Sequence, residues 1–194
     1  MHTPAKVLIC IRNPDTLAQI KSLLAGHGYN ETLACSTASQ ALRIADTMDI
    51  DIAILGWSFI DGNALFLAHD LQQKWSCSVL ILVPEAQESY ARQHTSGNED
   101  MICLTKPVRG SLLLQTLEMM NRYRSRVTAL QQDVVKLQKD LERRSIAEKA
   151  KVLLMKKENM TEAQAWKYLQ KTSMNQGKPL AEVAKEIIDS LRGE

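Results

Sequence analysis

Between Ser111 and Lys157 the chain contains neither proline nor glycine. Within that stretch Met120, Tyr123, Val127, Leu130, Val134, Leu137 and Leu141 follow one another at alternating spacings of three and four. Nothing there removes a backbone donor or invites a break, so the segment predicts one long helix. An apolar residue every 3.5 positions is a heptad seam, with Met, Val, Val and Leu at a and Tyr, Leu and Leu at d. β-branched residues at a with leucine at d favour two parallel strands. The remaining faces are filled with Arg, Gln, Lys, Asp and Glu, and so narrow a stripe fits a second narrow stripe better than a broad sheet. A homodimer joined through residues 120–145 is therefore expected; packing of the helix on its own domain is the competing reading.

Upstream of this helix, residues 1–120 alternate short apolar runs with longer mixed segments, the pattern of a βα-repeating domain. Lys6–Ile11, Thr32–Cys35, Ile52–Leu55, Val79–Val83 and Met101–Leu104 read as strands. Most are rich in Val, Ile and Leu without polar alternation, as strands covered on both faces should be. Asp15–Gly26, Ala38–Met48, Gly62–Lys74 and Ala86–Ser96 carry helical spacing, and a fifth helix starts near Arg109. This predicts an α/β flavodoxin-like, doubly wound domain.

Downstream, residues 146–194 read as a small three-helix bundle. The long helix turns Ile146, Ala150, Leu153 and Leu154 inward. A second helix starts at Thr161, with Gln164 completing a capping box, and carries Ala165, Trp166 and Leu169 to about Met174. Gly177 breaks it, and Pro179 opens a third with Leu180, Val183, Ala184, Ile187, Ile188 and Leu191. So small a bundle is weak alone, and fusion to a dimerising helix supplies what it lacks.

Charge divides along the same line. Residues 1–120 hold 8 basic and 12 acidic side chains, net −4, whereas residues 121–194 hold 16 basic and 10 acidic, net +6. Only the basic part is a plausible partner for nucleic acid, although a solvated helical surface has the same composition. Cys10, Cys35, Cys77 and Cys103 form no CxxC pair and have no histidine at ligand spacing, so no metal or cofactor is expected, and three of the four, lying in or beside apolar segments, read as small buried hydrophobes. The first apolar run, Val7 to Ile11, is too short for a signal peptide, and no stretch reaches the roughly 20 apolar residues of a membrane span. A cytoplasmic protein is expected.

The order of elements in the first domain, with the pair Lys106-Pro107 after the fifth strand, resembles a two-component receiver. Receivers phosphorylate an aspartate ending the third strand, beside an acidic pair that holds Mg²⁺ and a hydroxyl after the fourth strand. A carboxylate nucleophile and a hard cation with oxygen ligands are both needed for that step. Here the acidic-pair positions fall on Ile11 and Arg12, the phosphoacceptor on Gly56 and the hydroxyl on Val83; Lys106 alone remains. Asp61 lies beyond the third strand without acidic partners. The resemblance thus implies a pseudo-receiver that takes its signal from a sensor protein or a ligand at the same sheet edge.

Ile146-Ala-Glu-Lys-Ala-Lys-Val-Leu-Leu-Met155, Thr161-Glu-Ala-Gln-Ala-Trp-Lys-Tyr-Leu169, Thr172-Ser-Met174 and Leu180-Ala-Glu-Val-Ala184 together resemble an ANTAR domain, the module named for amidase and nitrate antitermination regulators. The resemblance covers about residues 145–192. It implies a non-enzymatic regulator that, as a dimer, holds paired hairpins in a leader transcript and prevents an overlapping terminator from forming. The family's Ala-Lys pair falls on Ala150-Lys151 and its Ser/Ala-Met signature on Ser173-Met174. Lys149, Lys151, Lys171 and Lys178 are the expected phosphate contacts, Ser173 and Asn175 the base readers, and Ala150 a point of close approach for RNA or a neighbouring helix. Met174 is expected in the core, as is Trp166, which replaces the family's tyrosine; Gln170 stands where a basic residue is common.

Two other readings compete. A DNA-binding response regulator needs a recognition helix offering Arg, Asn or Gln to a major groove, but the third helix exposes Glu182, Glu186 and Asp189. A pure interaction protein, sequestering a partner, leaves the ANTAR-like pattern unexplained. An enzyme is disfavoured because no carboxylate pair, activated nucleophile or glycine-rich phosphate loop is present.

Overall fold

In a computed structural model the described residues are 5–98 and 100–192, and the chain divides after Arg126 into two compact units. The first contains β1 (Val7–Cys10), α1 (Pro14–Ala25), β2 (Thr32–Cys35), α2 (Ala38–Thr47), β3 (Ile52–Gly56), α3 (Ala64–Trp75), β4 (Ser78–Val83), α4 (Glu88–Thr95), β5 (Met101–Thr105) and the start of α5 (Gly110–Lys157). All five strands are parallel, in the order β2-β1-β3-β4-β5. This is the flavodoxin-like arrangement that the strand pattern predicts.

The absence of polar alternation has its reason in the layers. Leu8, Cys10, Ala53, Leu55, Val79 and Ile81 face one core, closed by Ala41, Leu67, Leu71 and Ala91 from α2, α3 and α4. Their neighbours Val7, Ile9, Ile52, Ile54 and Leu80 face the other core, closed by Ile20 and Leu24 of α1 and by Leu113, Leu117 and Met120 of α5. Burial of each Val, Leu, Ile or Met among them is worth about 1.5–3 kcal/mol, so helices on both faces are held by the same strands.

Helix starts follow local chemistry. Asn13 accepts the Thr16 amide at 2.8 Å with Pro14 in the first turn of α1, satisfying a donor that the helix leaves free. The third helix begins two residues later than the spacing alone predicts. Gly62–Asn63 first pairs antiparallel with Ser58–Phe59, and the Asn63 side chain then caps α3. At the other end of the domain, Arg124 of α5 donates to Asp51 Oδ1 at 2.8 Å and to the Ser76 carbonyl at 2.6 Å. Asp51 also accepts the Lys6 amide at 2.9 Å, so this bond network fixes α5 to the sheet.

Cys10, Cys35 and Cys77 are buried. Burial pushes the Cys77 thiol up to about 12, in keeping with an inert hydrophobe.

The second unit comprises the rest of α5 with α6 (Glu162–Gln176) and α7 (Leu180–Arg192). Its core joins Ala147, Ala150 and Leu154 of α5 to Ala165 and Leu169 of α6 and Ala184 and Ile188 of α7. Alanines at the crossings let the helices approach closely. The capping box at Thr161 and Gln164 is formed, and Gly177, in the left-handed region at φ +63°, closes α6. No helix among the described residues is long and apolar enough to cross a membrane.

Candidate nucleic-acid interface and its regulatory partner site

At the sheet edge where the resemblance to receivers puts a reaction centre, hydrocarbon is found. Ile11 is buried in the core, and Gly56 lies against it. A Cβ built on Gly56 would sit 3.8 Å from Ile11 Cγ1 and 3.7 Å from Ile11 Cα. Val83 is fully buried, while Arg12 and Lys106 are exposed. Among the described residues no group of acidic, histidine or cysteine side chains could hold a metal ion.

Asp61, the nearby acid, is committed to structure. Its carboxylate accepts the Ser39 hydroxyl at 2.6 Å and the Ala38 and Ser39 amides at 2.9 Å each, at the start of α2. The Ser39 hydroxyl first, then the two amides, hold this carboxyl down at about 2. The same end of the domain has an open feature, a cavity of about 790 Å³ between α1 and the start of α5. Gln19, Leu23, Leu82, Lys106, Val108 and Leu113 are among its lining residues.

The heptad positions divide. Met120, expected in the seam, is only 5% exposed and belongs to the core of its own domain, because it continues the face on which Leu113 and Leu117 pack. Tyr123 lies beside it near Ser78 and Asp100, and Val127 is half-buried. From residue 128 to residue 145 every side chain is exposed. Leu130, Val134, Leu137 and Leu141 therefore stand in solvent, with Leu130 and Leu141 each 65% exposed. Among the described residues these large aliphatic side chains form an exposed stripe along the helix.

In the helical bundle the expected RNA-contact residues separate into two groups. Lys149, Lys171 and Asn175 are exposed. Lys151, by contrast, bridges α5 and α6: its Nζ lies 2.6 Å from Glu148 and 2.7 Å from Glu162, and its side chain is 12% exposed. The Glu148 and then the Glu162 carboxylate raise its pKa. Lys178 is bonded to Glu186. Ser173 is half-buried and donates its hydroxyl to the Lys178 carbonyl at 2.6 Å, closing the turn into α7. Ala150 is fully buried between helices, so the close approach it permits is to protein and not to RNA.

Met174 and Trp166 depart from their expected places in the core. Met174 is 83% exposed near the end of α6, and Trp166 is 39% exposed. Trp166 lines a cleft of about 600 Å³ with Arg143, Arg144, Ala147, Pro179 and Leu180. The doublet Arg143-Arg144 is the one trace of this cleft in the sequence; that it lies beside Trp166 depends on how α5, α6 and α7 meet.

Known proteins resemble both parts. Residues 135–188 match the ANTAR domain family. The chain is 25% identical over 189 residues to the transcriptional regulatory protein PdtaR of Mycobacterium tuberculosis, covering 97% of this chain and 91% of that one. A response regulator receiver protein from Sinorhizobium medicae shares the fold with a TM-score of 0.53 at 18% identity, over 61% of this chain and 94% of the other. A chemotaxis response regulator of Vibrio cholerae does so with a TM-score of 0.54 at 20% identity, over 61% and 99%.

Proposed function

Since the chain carries an ANTAR domain behind a receiver fold, we propose that it is a cytoplasmic, non-enzymatic antitermination regulator. It binds two hairpins of a leader RNA as a homodimer and so keeps a terminator hairpin from forming. The observation that supports this reading most is the uncovered heptad stripe from Leu130 to Leu141, which leads directly into the helical module matched to the family. Two such modules on one coil engage one RNA strand, and the second contact is intramolecular, gaining from effective concentration. Lys149 and Lys171 contact phosphates and Asn175 reads an exposed base. Lys151, Ser173 and Lys178 hold the helices in the geometry those contacts need, and any contact they make with RNA competes with the bonds described above.

Input reaches the first domain without aspartyl phosphorylation. Gly56 offers no nucleophile, and Ile11, which falls where the resemblance to receivers puts a metal ligand, is buried hydrocarbon. The cavity beside Lys106 is where a sensor protein or small ligand acts, at the strand edge that such sheets commonly use.

Binding of the full chain to a two-hairpin RNA, a single hairpin and duplex DNA across a salt series tests the reading. Preference for the paired hairpins that persists at high salt is expected. Equal binding to all three with complete loss in salt means that the basic bundle is only an electrostatic surface, and the partner-sequestering reading then replaces this one.

A further inference from the structure

We propose that the cleft beside Trp166 receives a single unstacked nucleobase from the loop of an RNA hairpin. This inference rests on the RNA-binding reading above and names the part of the RNA that the bundle reads. A tryptophan recruited only for packing belongs in the core beside Ala165 and Leu169, which are fully buried. Trp166 instead leaves part of its indole open, and it lines a recess. Ala147, Pro179 and Leu180 add apolar lining to that recess. At about 600 Å³ it falls in the range of roughly 300–1,000 Å³ usual for small-ligand clefts.

The charges around it favour a nucleotide over an apolar side chain. Arg144 makes no ion pair among the described residues, and Arg143 has only Asp140 at 3.5 Å, with both side chains largely in solvent. Glu148, the acid on the same rim, is offset by Lys151 at 2.6 Å. An extruded base uses every part of such a site: its π face stacks on indole, its edge meets a guanidinium fork, and its phosphate is held by the second arginine. A base still paired within a duplex cannot enter a recess, so the ligand is a loop nucleotide.

The test is a double-mutant cycle on the full chain, with hairpin loop nucleotides replaced one at a time by abasic linkers. Removing the base at one loop position should weaken wild-type binding roughly 5- to 150-fold. Trp166→Ala should lose a similar factor on intact RNA and lose nothing further on that abasic RNA, because both changes delete one contact. Trp166→Phe, which keeps an aromatic face and the packing, should fall between and retain the wild-type thermal midpoint. Multiplying losses, or wild-type affinity in Trp166→Ala, overturn the base cleft while leaving hairpin binding intact. No hairpin binding by the wild type overturns the proposed function itself, and this site with it.

Discussion

Lys151 Nζ of α5 lies 2.7 Å from Glu162 Oε1 in the first turn of α6, with Glu148 at 2.6 Å on its other side. The lysine of the family's Ala-Lys pair is thereby a tie between two helices, whereas its neighbour Lys149 is exposed. Substitution separates these roles. Lys149→Ala should leave the thermal midpoint unchanged and reduce the slope of log affinity against log salt by about 1, the signature of one lost phosphate contact. Lys151→Ala should lower the midpoint, because two carboxylates lose their counter-ion, and should change the salt slope less. Because its partners raise the Lys151 pKa, its stabilisation is complete at neutral pH and is lost only as pH rises through that raised value. Wild-type and Lys151→Met midpoints should therefore converge in strong alkali. Parallel curves, or a larger salt-slope change for Lys151 than for Lys149, count against the tie.

The Asp61 carboxylate gives the opposite pH dependence in the first domain. The Ser39 hydroxyl and the Ala38 and Ser39 amides hold it at about 2, against about 3.9 in an unfolded chain. Its contribution is therefore fully present above about pH 4 and withdrawn as pH falls toward 2. Asp61→Asn should melt earlier than wild type at neutral pH, with the difference shrinking through that acid window in thermal scans. A difference independent of pH excludes the carboxylate as the cap of α2.

Much of the fold is legible in the sequence, because strand burial and helix capping are local. The unalternating runs at Val7–Cys10 and Ile52–Gly56 announce two-sided cover, and Thr161 with Gln164 announces the start of α6. Less was legible at the candidate site. Heptad spacing runs unbroken from Met120 to Leu141, yet spacing does not say which surface a stripe meets. The first domain takes Met120 because Leu113, Leu117 and Met120 share one face. Likewise, a motif names Lys151, Ser173 and Met174 but not their partners. The bonds of Lys151 to Glu162 and of Ser173 to the Lys178 carbonyl depend on how helices cross and turn, and Met174 points away from a core already filled by alanine and leucine.

The reaction centre of the receiver fold predicts failure of the simplest repair. Restoring the nucleophile with Gly56→Asp places a carboxylate in a buried position against Ile11 without an acidic pair. It should not confer labelling by acetyl phosphate with Mg²⁺, read by intact mass, and should destabilise the domain by about 2–5 kcal/mol. A phosphorylated wild type removes the case for a signal other than phosphate, and a phosphorylated Gly56→Asp protein removes the argument that the missing acidic pair by itself blocks the step.

The division of the long helix gives two substitutions with separable outcomes. Leu137 is 63% exposed, within a stretch whose side chains are all exposed, so Leu137→Asp should leave the melting of the first domain unchanged while converting the proposed dimer to monomer in sedimentation. Met120 is buried against α1 and the sheet. Met120→Ala should cost about 2–5 kcal/mol of domain stability by leaving a cavity, with the dimer retained. Paired hairpin RNA distinguishes them again: Leu137→Asp should bind two hairpins no better than one, because effective concentration is lost with the dimer, whereas Met120→Ala below its melting temperature should keep the preference. If Leu137→Asp remains dimeric, the stripe from Leu130 to Leu141 is not the dimer contact, and pairing must come from another surface of the chain.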